Sequence, residues 1–306
     1  MLHIDCPNDD YKNVFDDIRA IRKITKVPLD LHLISEHPWF FQGLIKDCRI
    51  EYVSFQYEDM GIVPDVPQIK GTKFGLAIKS ETSLDILEQA TDYDYVMLMC
   101  TTPGMSGGSF QKENFKRIVE IRHRYPNLKI QIDGGVNDEV GYILRLLGVD
   151  SIVSGSFLMN HYSIGSGMLS FYKAPSGGSY SVSDFMVPIS YLPVLDENNL
   201  SFENVLQTIE KYKQGFVLIV DQSNKLKGVI SNADIRRGLI SQMSKLDKID
   251  ILQMINPNPI SISDSADLGQ MLTLINELNF IILFLPVVDK EGTLKGAVLL
   301  NNLTRG

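Results

Sequence analysis

Seven short apolar runs, each followed by a polar or amphipathic stretch, dominate the first half of the chain. The runs cover residues 2–6, 28–34, 52–57, 74–78, 95–100, 130–132 and 151–154. Helical spacing of apolar residues marks 11–24, where Val14, Ile18 and Ile21 recur, and helices are also expected at 38–46, 83–90, 112–124 and 139–147. The segment 59–70 carries two prolines and a glycine, so any helix there is short or absent. Strand–helix alternation at this spacing demands parallel βα units. Two architectures accept seven such strands, an open doubly wound sheet and a TIM barrel short of one unit.

The placement of polar residues favours the barrel. His3, Asp5, His32, Gln56, Glu58, Asp133 and Ser156 all lie in or just after the C-terminal part of a strand. A barrel gathers all those ends around one site, whereas an open sheet concentrates them at a single switch point. Residues 3 and 5 share a strand face because side chains alternate with period two. A lone strand-end histidine is more often a satisfied polar residue than a ligand. Four such residues on one rim, His3, Asp5, His32 and Asp133, read instead as a site for Zn, Fe(II), Mn or Co. A cation there would suit proton abstraction beside a carbonyl, with Asp5 and Asp133 as the two proton carriers. Glycine-bearing loops at 103–108, 133–135 and 154–156 follow the late strands, a common place for a phosphate held by backbone N–H groups.

Residues 158–182 lose the pattern. The stretch reads as poor in helix signal, with 168–172 as a segment that could add a strand. Beyond it the chain repeats itself. Met186 and Met254, Asp221 and Asp289, and Gly228 and Gly296 are all 68 residues apart. Three anchors in one register establish an internal repeat, each copy reading helix, strand, tight turn, strand, helix.

Composition sets the remaining bounds. The net charge of −8 argues against nucleic acid or an anionic membrane as partner. Cys6, Cys48 and Cys100 have no CxxC spacing, so no disulfide framework or cysteine zinc site is expected and a reducing compartment is the simpler reading. No apolar run approaches the roughly 20 residues of a spanning helix, and no signal peptide is expected from the opening residues. A cytoplasmic protein is expected.

The motifs His3-Ile-Asp5, Pro28-Leu-Asp-Leu-His-Leu33, Glu36-His-Pro38, Tyr52-Val-Ser-Phe55, Gly75-Leu-Ala-Ile78, Leu98-Met99, Pro103-Gly104, 130–136 and Gly155-Ser156 occur in the order found in ribulose-phosphate 3-epimerases, across residues 1–157. The chain resembles that family there. The resemblance implies a metal held by His3, Asp5, His32 and Asp133, with Asp5 and Asp133 as acid and base. It implies a ketose phosphate substrate contacted by Met99, Gly104, Met105, Ser106, Gly107, Gly134, Gly135, Gly155 and Ser156. It also places residue 1 at the family's second strand, so a TIM-type barrel lacking its first βα unit is expected. The family's Met-Asp-Gly after Asp5 is here Pro7-Asn8-Asp9, its methionine after His-Leu is Ile34, and its His-Tyr-Glu is Gln56-Tyr57-Glu58. These departures leave open a second reading, an inactive barrel that senses a sugar phosphate or nucleotide.

The repeat resembles a pair of CBS domains, an α+β module. Gly228-Val-Ile-Ser-Asn-Ala-Asp234 carries the family's hydroxyl residue three before an acid, which implies AMP or ATP contacts at Ser231 and Asp234. The second copy has Leu299 and Asn302 at those positions, and a dimerisation role for the pair is the competing reading. The expected layout is a barrel over 1–172, a linker over 173–182 and CBS domains over 183–245 and 251–306, in a chain that forms a homo-oligomer.

Overall fold

The computed structural model describes residues 1–101, 107–175 and 178–304. The chain divides into two units, Met1–Ala174 and Pro175–Gly306. Among the described residues no helix is long and apolar enough to cross a membrane.

The first unit is an incomplete TIM-type barrel. Its strands are β1 (Leu2–Pro7), β2 (Leu29–Ile34), β3 (Tyr52–Gln56), β4 (Lys73–Lys79), β5 (Tyr95–Met99), β6 (Lys129–Asp133) and β7 (Ser151–Val153). They pair in parallel and in sequence order, and among the described residues β1 and β7 each pair on one side only. The sheet is strongly curled. Strands β2 and β6 are four apart, roughly 19 Å in a flat sheet at the usual strand spacing. Yet Gln131 Nε2 of β6 donates to Asp30 Oδ2 of β2 at 2.5 Å. Only a barrel brings those faces together.

The interior is filled from alternate residues. Met97, Met99 and Tyr95 of β5 pack with Ala77 of β4 and Tyr52 of β3. Gly75 is required beside them, because a Cβ there would collide with the Tyr95 ring. Outside, α1 (Tyr11–Ile24) buries Val14, Phe15 and Ile18. After α2 (Gln42–Asp47) and α3 (Tyr57–Met60), α4 (Glu113–Arg124) buries Phe115, Ile118, Val119 and Ile121. The next, α5 (Asp138–Leu146), is started by Asn137, whose side chain accepts from the Val140 N–H at 2.9 Å.

Three local expectations are corrected. Residues 84–88 form a 3-10 turn rather than a full helix, begun by Ser83, which accepts from the Asp85 N–H. The first four residues of the expected 38–46 helix, Pro38–Phe41, are also a 3-10 turn. The 168–172 stretch is no strand: α6 (Ser156–Met159) and α7 (Ile164–Ser170) occupy this region. A reciprocal cap between Ser163 and Ser166 starts α7 and commits the following residues to helix.

The second unit holds a three-stranded and a four-stranded sheet. In chain order its elements are α8 (Val182–Phe185), β8 (Val187–Pro188), β9 (Val194–Asp196), α9 (Phe202–Tyr212), β10 (Phe216–Val220), β11 (Leu226–Ser231), α10 (Asn232–Ser241), β12 (Ile262–Ser263), α11 (Leu268–Glu277), β13 (Phe284–Val288) and β14 (Leu294–Leu299). The 68-residue repeat becomes a pseudo-two-fold axis. Phe216 stacks on its counterpart Phe284 with ring centroids 3.7 Å apart. Leu226 N–H donates to Gly292 O at 3.0 Å, and the equivalent Leu294 N–H donates to Asn224 O at 2.8 Å.

Candidate metal centre

The register of the first two strands builds the centre. Strand β1 pairs with β2 so that His3 lies opposite Asp30 and Asp5 opposite His32. All four point to the barrel interior because they fall on the same alternating face. Strand β6 brings Asp133, whose backbone carbonyl is fixed by the Cys100 N–H at 2.7 Å. One ligand atom from each of His3, Asp5, His32 and Asp133 lies within 4.8 Å of the others.

The contacts within the group are specific. His3 Nδ1 lies 2.8 Å from Asp30 Oδ2, and its Nε2 faces Asp5 Oδ1 at 3.5 Å and Asp133 Oδ2 at 3.7 Å. That Nε2 is buried and makes no hydrogen bond. His32 Nδ1 lies 2.9 Å from Asp5 Oδ1, and its Nε2 lies 2.7 Å from Gln56 Oε1. An unpartnered, buried imidazole nitrogen between two carboxylates fits a divalent cation, and the donor set of two imidazoles and two carboxylates suits a transition ion.

The protein's own charges are arranged around that point. Burial alone would depress the His3 pKa, but the hydrogen bond to Asp30 and the carboxylates of Asp5 and Asp133 lift it to about 10. Asp5 feels an upward push from burial that His3 and His32 outweigh, so it is held well below the usual carboxylate range. Asp133 moves the other way: burial raises it, and the neighbouring Asp5 adds to the rise against the pull of His3. Two carboxylates in one site are thus pushed apart, the pattern of an acid–base pair.

The remaining expected site residues are distributed unevenly. Met99 is buried in the interior beside the centre's strands. Gly104, Met105 and Ser106 lie outside the described residues. Gly107 has φ +88°, and Gly134 and Gly135 have φ +107° and +69°, all in the left-handed region that favours glycine. Side chains on Gly134 and Gly135 would strike Thr101 and the backbone of Phe110 respectively, so these glycines let the loop after β5 close against the loop after β6. A Cβ on Gly155 would meet nothing within 4 Å, and Ser156 opens the four-residue α6. In the second unit Ser231 and Asp234 form a reciprocal cap on α10, with Asp234 also paired to Arg237 at 2.5 Å.

Two residues of this network, Asp30 and Gln131, escaped the sequence reading, and Glu58 was read there only as a strand-end polar residue without a role. Asp30 and Gln131 each stand two positions before a recognised ligand, His32 and Asp133, and so share its inward face. Glu58 accepts from Gln56 Nε2, from the Lys79 N–H at 2.8 Å and from the Thr82 hydroxyl. Period-two alternation alone would have found the first two.

Residues 1–159 match the model of the ribulose-phosphate 3 epimerase family. The chain belongs to that family of isomerases. A ribulose-phosphate 3-epimerase from Aquifex aeolicus is 31% identical over 151 residues, covering 46% of this chain and 68% of the relative. One from Helicobacter pylori is 30% identical over 149 residues, covering 46% and 69%. Residues 182–241 and 250–305 each match the CBS domain model, so the family barrel is joined to a CBS pair. The crystal structure of CBSX2 in complex with AMP is 29% identical, covering 42% of this chain and 95% of that one, with a TM-score of 0.35.

The electrostatics give a direct check. In the metal-free full chain, the His3 ring proton resonance should titrate with a midpoint near 10 rather than the ordinary 6.5. The stability this interaction contributes is fully present below about 6.5 and is lost as pH rises through about 10. A midpoint near 6.5 by NMR contradicts the arrangement.

Proposed function

We propose that the barrel is a metal-dependent epimerase that inverts the carbon next to the carbonyl of a ketose phosphate, ribulose 5-phosphate or a near relative. The observation that carries this reading is the group of four ligand atoms within 4.8 Å around the unpartnered Nε2 of His3. Nε2 of His3, Nδ1 of His32 and one oxygen each of Asp5 and Asp133 would hold the cation. When bound, it supplies Lewis-acid polarisation of the substrate carbonyl.

The chain's own groups carry the proton. Epimerisation requires removal of the proton on one face of the carbon and its return on the other. Asp5 on β1 and Asp133 on β6, carried by separate strands, are proposed as that pair. The carbanion formed on deprotonation is delocalised onto the carbonyl oxygen as an enediolate, and reprotonation from the other carboxylate completes inversion. The proposed phosphate contacts are the N–H groups of the loops bearing Gly107, Gly134–Gly135 and Gly155–Ser156. The close approach of the loops after β5 and β6, which Gly134 and Gly135 permit, supports the first two.

We further infer that the CBS pair binds an adenosine nucleotide at its first copy, through Ser231 and Asp234, and that this regulates the barrel. The support is the hydroxyl–acid pair at the junction of β11 and α10, replaced by Leu299 and Asn302 in the second copy.

Solvent deuterium exchange into the substrate carbon tests the chemistry. The cation-loaded chain should exchange, a chelator should silence it, and Asp5→Asn or Asp133→Asn should each lower the rate by about 10²- to 10⁴-fold. A loaded protein that exchanges no ketose phosphate contradicts the reading. For the nucleotide site, calorimetry with AMP and ATP should give binding to the natural chain that Asp234→Ala abolishes, while equal binding in both refutes it.

A further inference from the structure

A neutral imidazole carries one N–H and one lone pair, and only the lone pair can ligate a cation. Which nitrogen is free is decided by what the other one touches. The two histidines of the centre present opposite nitrogens to it, Nε2 from His3 and Nδ1 from His32. Their backing groups explain this.

Behind His3 stands Asp30, fully buried on β2. An ionised carboxylate can only accept, so the 2.8 Å contact requires Nδ1 of His3 to donate, and Nε2 is the nitrogen that carries the lone pair once a cation displaces its proton. Asp30 is itself held by Gln131 Nε2 from across the barrel at 2.5 Å.

Behind His32 stands the Gln56 amide, which could in principle turn either end to the ring. Glu58 removes the ambiguity. Its carboxylate takes the amide NH₂ of Gln56, so Gln56 must offer its oxygen to His32 Nε2. Glu58 is in turn fixed by the Lys79 N–H and the Thr82 hydroxyl. His32 therefore donates from Nε2 and keeps its lone pair on Nδ1, 2.9 Å from Asp5. The result is one imidazole backed by a carboxylate and the other backed by a neutral amide.

We propose that Asp30 and Gln56 are positioning residues of the centre: each fixes the tautomer of one histidine so that His3 Nε2 and His32 Nδ1 address a single cation. The proposal deepens the metal reading above and rests on it. Gln56 gains its orientation from Glu58, which the Thr82 hydroxyl holds, so the His32 side is set by a relay of three side chains, whereas the His3 side is set by Asp30 with Gln131 behind it. Each arm acts on its own histidine and leaves the other unchanged.

Long-range ¹H–¹⁵N NMR of the Zn²⁺-loaded full chain reads the two tautomers, and calorimetry with Zn²⁺ alone reads affinity. The natural chain should bind Zn²⁺ with a proton on Nδ1 of His3 and on Nε2 of His32. Asp30→Asn can turn an NH₂ toward the ring, so it should shift His3 alone and weaken Zn²⁺ by about 10- to 100-fold. Gln56→Met removes the acceptor at similar volume, so it should shift His32 alone with a loss of similar size. Gln56→Met also carries the test if Asp30→Asn fails to fold. Unchanged tautomers and affinity in a folded variant overturn the proposal while leaving the cation site standing. A natural chain that binds no Zn²⁺, Mn²⁺, Co²⁺ or Fe²⁺ overturns the cation site and this proposal together.

Discussion

A carboxylate with no exposure to solvent, Asp30, sits where three strands of the barrel meet. It accepts from His3 on β1 and from Gln131 on β6, so one buried charge ties the first two strands of a seven-stranded sheet to the sixth. Removing one partner of such a buried pair costs about 3–5 kcal/mol, because the other charge is left without compensation. The same contact sets the ring of His3, lifts its proton affinity and turns its free nitrogen to Asp5 and Asp133. Curvature of the sheet and chemistry of the site therefore share one interaction.

The register between β1 and β2 makes this economical. Pairing His3 with Asp30 and Asp5 with His32 alternates acid and imidazole in both directions, so every charge at the rim has an opposite neighbour. A shift of either strand by one residue would turn its two side chains away from the interior and break both pairs. The Pro7-Asn8-Asp9 segment, which departs from the family pattern, is accommodated beyond this rim, where Asn8 Oδ1 accepts from the Ser35 hydroxyl at 2.8 Å. The substituted Gln56 enters the site as a neutral amide behind His32, a group that cannot exchange a proton near neutral pH.

The ligand set was readable in the sequence because strand-end polarity stands out against apolar runs. Asp5, His32 and Asp133 lie toward or just after the C-terminal end of such a run, and His3 shares the face of Asp5 two positions earlier. Asp30, second in β2, and Gln131, third in β6, were not recognised because they lie ahead of the strand ends, where a polar residue reads as an interruption rather than a component. Local structure failed where short-range caps overrode apolar patterning, as at Ser83 and Ser163. The CBS repeat was legible from its constant offset, but sequence could not show that Phe216 and Phe284 stack, since spacing carries no information about which equivalent faces meet.

The central claim is that four side chains from β1, β2 and β6 hold one divalent cation. Anomalous diffraction from crystals of the full chain grown with Zn²⁺ addresses it directly. The account predicts a peak about 2.0–2.2 Å from His3 Nε2, His32 Nδ1 and an oxygen of each of Asp5 and Asp133. A peak elsewhere in the chain with none at this point, or a cation here whose coordination excludes either histidine, would contradict it.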